Sequence, residues 1–261
     1  MKHLLSLMMV SMCVGVGSGG AGPSPRVLVN GGAMMDGNVF KAATVSSMRA
    51  FYREARRVVL ILHASHPEDR DRMEGRLQSA FRELHPEIEA RSLHRFEANE
   101  AAARAFLREA DAVFIGGGDT FMLLRVLHET GQLAVLRERV AAGVPVGGSS
   151  AGANVLGPVI GVTNDFPVTD VPTRAAIGGF PALINPHHPL PEAEVDFGGR
   201  DWKLRNYLRW NPSERILALG DAATAVLENG EVTVTLGPAW LYVSGEETRA
   251  LRTGERVREL E

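Results

Sequence analysis

The chain has 261 residues and a net charge of −3, from 28 Lys and Arg against 31 Asp and Glu. With no Lys- or Arg-rich block, that balance argues against nucleic acid as a partner. An apolar content of 45% is enough to fill a hydrophobic core, which excludes a disordered chain.

The lone cysteine, Cys13, excludes an internal disulfide framework and a Cys-based zinc site. It falls in residues 1–22, where Lys2 and His3 precede an uncharged apolar run and then a string of small residues. That order reads as a secretory signal peptide or an N-terminal extension. The run is short for a membrane span, so stable membrane association is not expected. Residues 23–261 read as a single domain, with no repeat or linker.

Residues 26–30 (RVLVN) form the first expected strand, broken by Gly31-Gly32. Residues 58–62 (VVLIL) are a continuous apolar run, as in a strand buried on both faces. Residues 67–84 carry Met73, Leu77, Phe81 and Leu84 at helical spacing. A weaker strand is expected at 88–93 and a helix at 101–110. A short buried strand at 112–115 stops at Gly116-Gly117-Gly118. Helices follow at 120–130 and 133–142, then a strand at 144–147. This alternation predicts an α/β fold, a mostly parallel doubly wound sheet with helices on both faces. Beyond a helix at 201–209 the rhythm shortens. Strands at 216–219, 224–227, 232–236 and 240–243, with a turn at Asn229-Gly230, read as antiparallel strands appended to the parallel core.

Gly148-Ser149-Ser150-Ala151-Gly152 sits between an expected strand and an expected helix. In that context Gly-x-Ser-x-Gly is a nucleophile elbow, which makes Ser150 the candidate nucleophile. Ser149 is a rival hydroxyl without the flanking glycines. A serine nucleophile needs a base, and the base needs an orienting acid. Asp165, in Thr163-Asn164-Asp165-Phe166-Pro167, and His187, in Ile184-Asn185-Pro186-His187-His188-Pro189, lie in turn-forming segments downstream. His188 is a rival base and Asp170 a rival acid. The Gly116–Gly118 loop can offer bare N–H groups at a strand's carboxyl end, with the Ala151 N–H as a second donor.

Four runs together, Phe114-Ile115-Gly116-Gly117-Gly118-Asp119-Thr120, the elbow through Asn154, residues 163–167 and Ile184-Asn185-Pro186-His187, resemble the peptidase E (aspartyl dipeptidase) branch of serine peptidase family S51. They occur in that family's order and at its spacing. The resemblance implies a fold like that of class I glutamine amidotransferases. It implies Ser150 as nucleophile, His187 as base, Asp165 as third member, and an oxyanion hole from Gly118 and Ala151 N–H. It further implies short peptide substrates with an N-terminal aspartate, no metal or other cofactor, a homodimer as a compatible state, and a cytoplasmic location unless residues 1–22 export the chain. Arg200 matches, across a one-residue gap, a family arginine that binds the substrate's aspartate side chain. The chain departs from the family pattern at Asp119, where Asn is usual, at Phe197-Gly198-Gly199, and at Gly220-Asp221-Ala222, which replaces an Arg-Glu-Gly-Ser-like stretch.

Three other readings compete. An α/β-hydrolase esterase shares the elbow but spreads its acid and histidine further along the chain. Cyanophycinase-like cleavage of β-aspartyl-arginine peptides shares the elbow and the glycine loop. A non-catalytic binding module on the same fold is the third.

Overall fold

The computed structural model describes residues 22–261. The N-terminal apolar segment and Cys13 lie outside the described residues. In chain order the elements are β1 (Val27–Asn30), the hairpin β2 (Met35–Asp36) and β3 (Val39–Phe40), α1 (Ala42–Phe51), β4 (Arg57–Ile61), α2 (Arg70–Leu84), β5 (Glu89–Ser92) and α3 (Glu100–Arg108). Then come β6 (Ala112–Ile115), α4 (Thr120–Glu129), α5 (Gln132–Ala141), β7 (Val146–Ser149), α6 (Ala151–Leu156), β8 (Leu183–Asn185) and α7 (Glu194–Trp210). The chain ends with β9 (Arg215–Leu219), β10 (Thr224–Glu228), β11 (Glu231–Leu236), β12 (Ala239–Val243) and β13 (Arg249–Leu251).

The main sheet has seven strands in the order β11-β10-β1-β7-β6-β4-β5. Its five strands from β1 to β5 run parallel, and β10 and β11 add an antiparallel edge beside β1. Alternation along these strands divides the core. Val59, Ile61, Val113 and Ile115 face the layer formed by α3 to α6. Val58, Leu60 and Phe114 face the opposite layer, with Phe51, Leu77 and Phe81 from α1 and α2. Successive side chains of a strand point to opposite faces, so a run buried on both sides reads as continuously apolar. Phe81 meets Phe40, Tyr52 and Phe114 edge-on at 5.1 to 5.8 Å, closing the layer under the β2–β3 hairpin.

The C-terminal strands divide differently from the expectation that all append to the parallel core. Only β10 and β11 do so. β9, β12 and β13 form a second sheet with β8, in the order β13-β12-β9-β8. The cause is β8, which pairs parallel with β9. At three residues it is too short for hydrophobic periodicity to register. One face of this second sheet (Ile184, Leu217, Leu219, Leu241) joins the main core. The other face (Leu183, Ile216, Trp240, Tyr242) is covered by Leu204 and Leu208 of α7. The parallel pair β8 and β9 therefore brings two more carboxyl ends toward those of β1, β6 and β7.

Candidate active site

Asn30 at the end of β1 is in register with Ser149 of β7, and Ile115 of β6 with Gly148. The three strands end side by side, where parallel sheets carry their sites. Ser150 follows β7 directly, with φ 55° and ψ −118°, a conformation rarely taken by a residue with a side chain. Such backbone costs on the order of 1–3 kcal/mol and persists only where the surroundings enforce it. Here the Ser150 N–H donates to the Asn30 carbonyl at 3.0 Å, and its carbonyl accepts the Ala153 and Asn154 N–H groups of α6. The elbow glycines are required by close approach. A Cβ on Gly152 would sit 2.1 Å from the Ile115 carbonyl oxygen, and one on Gly148 would sit 2.4 Å from that of Gly152.

The structure brings His187 to Ser150. Ser150 Oγ lies 2.8 Å from His187 Nε2. His187 has its own positive φ of 51° and is held by its N–H on the Gly31 carbonyl at 2.9 Å. Gly32 permits this approach, because a Cβ there would lie 2.1 Å from the imidazole Cε1.

The structure does not bring Asp165 to His187. The carboxylate on His187 Nδ1 is that of Asp221, at 2.6 Å. Because a carboxylate only accepts, Nδ1 carries the proton and Nε2 is left to accept from Ser150. Asp165 Oδ2 instead accepts the Thr120 N–H at 2.9 Å and the Thr120 hydroxyl at 2.5 Å. It thus holds the start of α4, immediately after the glycine loop. Helix N-terminal N–H groups lack intrahelical acceptors and favour an anion, which accounts for this carboxylate's position. Sequence reasoning missed Asp221 because it was sought between the elbow and His187.

The runs around these residues are tied together. Asn164 Nδ2 donates to the Pro186 carbonyl at 2.8 Å, and Asn185 Nδ2 donates to Asn164 Oδ1 at 3.0 Å and the Val162 carbonyl at 2.7 Å. The segment containing Asp165 therefore fixes both the glycine loop and the His187 loop. Asn30, which the sequence did not single out, is fully buried beneath the site. Its Oδ1 accepts from the Gly32 N–H and from Ser149 Oγ, while its Nδ2 donates to the Ala222 carbonyl and Thr224 Oγ1. One amide thus joins the β1 loop, the elbow and the loop bearing Asp221.

Two of the rival residues are occupied elsewhere. Ser149 is buried on Asn30. His188 is buried between Tyr242, whose hydroxyl lies 2.9 Å from its Nε2, and Trp240, 4.6 Å away between ring centroids. Burial pushes its pKa down to about 4. Asp170 is exposed.

Gly118 has φ +136°, and a Cβ there would meet the Ala64 carbonyl oxygen at 2.2 Å. Gly117 packs against Ser150, where a Cβ would lie 2.9 Å from the serine Cβ. Ala151 is the first residue of α6, so its N–H has no intrahelical acceptor. Asp119 caps α4 by accepting the Met122 N–H at 2.7 Å. Its charge is therefore matched by a helix N-terminus. Arg200, on α7, is half-buried and donates to Asn185 Oδ1 at 3.1 Å, two residues before His187. Burial lowers its pKa, and it pairs with no carboxylate among the described residues.

Among the described residues, one group has a metal-ligating composition: Asp71, Glu74 and His94. Arg95 already pairs with both of its carboxylates, at 2.8 and 2.6 Å.

Residues 27–235 match the model of Peptidase family S51. The chain is 35% identical over 185 residues to Peptidase E of Actinobacillus pleuropneumoniae, covering 70% of this chain and 76% of that one. It is also 35% identical over 190 residues to Peptidase E of Streptomyces coelicolor, covering 72% and 68%. Among solved structures, a peptidase from an acI-B1 actinobacterium shares the fold with a TM-score of 0.63 at 16% identity, over 91% of this chain and 98% of that one. A putative Peptidase E protein from Listeria monocytogenes does so with a TM-score of 0.60 at 18% identity, over 87% and 99%. The chain belongs to peptidase family S51 and is a peptidase.

Proposed function

We propose that this peptidase hydrolyses dipeptides and short peptides with an N-terminal aspartate, through an acyl-enzyme on Ser150, with His187 as base and Asp221 orienting it. The observation that carries the reading is the continuous chain Ser150 Oγ to His187 Nε2 at 2.8 Å and His187 Nδ1 to Asp221 at 2.6 Å. Asp165, the third member that the family resemblance implies, has the different role of holding the glycine loop through Thr120.

Ser150 Oγ attacks the peptide carbonyl while His187 Nε2 takes its proton. Asp221 stabilises the imidazolium that forms. The tetrahedral oxyanion is held by the N–H groups of Gly118 and Ala151, the latter at the positive end of α6. His187 returns the proton to the leaving amine, and water, deprotonated by His187, releases the first residue from the serine ester. Arg200 reads the substrate's aspartate carboxylate, since a guanidinium offers paired donors to both oxygens.

The test is a panel of X-Leu dipeptides, with X as Asp, Glu, Asn, Gly, Ser and Ala, hydrolysed by wild type, Ser150→Ala and Arg200→Gln. Ser150→Ala should lower kcat by several orders of magnitude with unchanged thermal unfolding. A loss below about tenfold rejects the nucleophile. An Asp preference that survives Arg200→Gln rejects the role of Arg200.

A further inference from the structure

A cavity of about 320 Å³ opens onto Ser150 and the Gly116–Gly118 loop. Met34, Met35, Met73, Leu77 and Phe114 supply its apolar wall, and Arg76 is the one charged residue on it. Arg76 is half-buried, and its Nε donates to the Gly37 carbonyl at 2.8 Å, so the β2–β3 hairpin holds the guanidinium in place. Nη1 meets only the Met73 sulfur at 3.8 Å, and Nη2 makes no hydrogen bond among the described residues. No carboxylate among the described residues pairs with Arg76, although the chain has an excess of acidic groups. Arg200 is not part of this wall. It reaches the site on α7 from the second sheet, whereas Arg76 comes from α2 beside the main sheet.

We propose that this cavity binds the leaving residue of the substrate, taking its apolar side chain among the methionines and its free C-terminal carboxylate on Arg76. This rests on the reading of Ser150 as the acylated serine. A dipeptide with an N-terminal aspartate has two carboxylates, one on each residue. With Arg200 assigned to the first residue, the free fork of Arg76 matches the second. The apolar wall adds a side-chain preference, since methionine is flexible and fills gaps around varied apolar groups. The preferred substrates are then Asp-Leu, Asp-Met and Asp-Phe, as free acids.

The experiment compares kcat/KM for Asp-Leu and Asp-Leu-amide in wild type, Arg76→Gln and Arg76→Lys. A charge-assisted contact of this kind predicts that wild type favours the acid by about 10- to 100-fold, mainly through KM. In Arg76→Gln the acid-to-amide ratio falls to about one, and Arg76→Lys restores part of it. A ratio that Arg76→Gln leaves intact overturns the proposal, even if both rates drop, because Arg76 then serves the first residue or the fold. Calorimetric binding of Asp-Leu and Asp-Leu-amide to Ser150→Ala, with and without Arg76→Gln, reads the same contact without turnover. Loss of the acid's advantage over the amide in the double variant supports the proposal, and an unchanged advantage overturns it. Absence of hydrolysis by wild type would refute the serine-hydrolase reading and leave this binding comparison decisive for the cavity.

Discussion

Asp221→Asn separates the two acidic candidates. The substitution keeps the size of the side chain at 2.6 Å from His187 Nδ1 but removes its charge. Either amide orientation is harmful. The oxygen would still accept from Nδ1–H without balancing the imidazolium, and the NH₂ would force the proton onto Nε2, where it blocks acceptance from Ser150. The cost follows from exposure, because the His187 and Asp221 side chains are 46% and 63% accessible. Unit charges about 4 Å apart interact by about 1 kcal/mol in water and about 4 kcal/mol at the effective dielectric typical near a protein surface. At about 1.4 kcal/mol per decade, the expected loss in kcat lies between about fivefold and about a thousandfold. That is below the ~10⁴-fold seen for a buried triad aspartate. Steady-state hydrolysis of Asp-Leu at pH 7.5 measures it. Asp165→Asn should instead lower stability by about 1–2 kcal/mol through the α4 N-terminus, with a smaller loss in kcat. If Asp165→Asn lowers kcat more than Asp221→Asn while thermal unfolding is unchanged, the assignment of Asp221 is wrong.

Ser150→Gly should unfold at a higher temperature than Ser150→Ala, because glycine relieves the positive φ that alanine retains; calorimetry of the two variants checks the order. Asn30→Ala should lose activity and stability together, by at least about 2 kcal/mol, since four partners of a buried amide lose their hydrogen bonds. Native-like unfolding in that variant would rule out Asn30 as the link between the loops. Burial pushes the pKa of both His63 and His188 down to about 4. The folded protein therefore binds fewer protons than the unfolded chain between about pH 6.5 and 4, so stability falls as pH drops through that window. Melting curves at pH 7 and 5 test this, and His63→Gln should flatten the dependence. A melting temperature as high at pH 5 as at pH 7 would count against it.

The parallel sheet was readable because β1, β4 and β6 are buried on both faces and therefore continuously apolar. Ser150 and the glycine loop were readable because close backbone approach leaves glycine no substitute. The strand β8 and the β2–β3 hairpin were not, since elements of three and two residues hold less than one useful period of side-chain pattern. Helix α7 begins seven residues before its expected start at 201, through Phe197-Gly198-Gly199, a stretch of poor helix propensity. Asp221 was hidden for a different reason. Its partnership with His187 depends on β9 lying beside β8, a pairing across the chain that no local pattern records. The same holds for Arg76, whose place on the cavity wall requires α2 to lie against the hairpin.

His187 and Asp221 stand on loops from the second sheet, while Ser150 stands on the main one. In the proposed mechanism, catalytic competence is therefore an assay of how the two sheets are docked. Gly220, beside Asp221, donates to the Pro238 carbonyl just ahead of β12, so residues past the end of the family match buttress the Asp221 loop. With the proposed triad, partial loosening of the last strands is expected to silence hydrolysis while the seven-stranded sheet stays folded. In mild denaturant, activity should fade before the far-ultraviolet signal of the main sheet, making the enzyme its own reporter of subglobal opening.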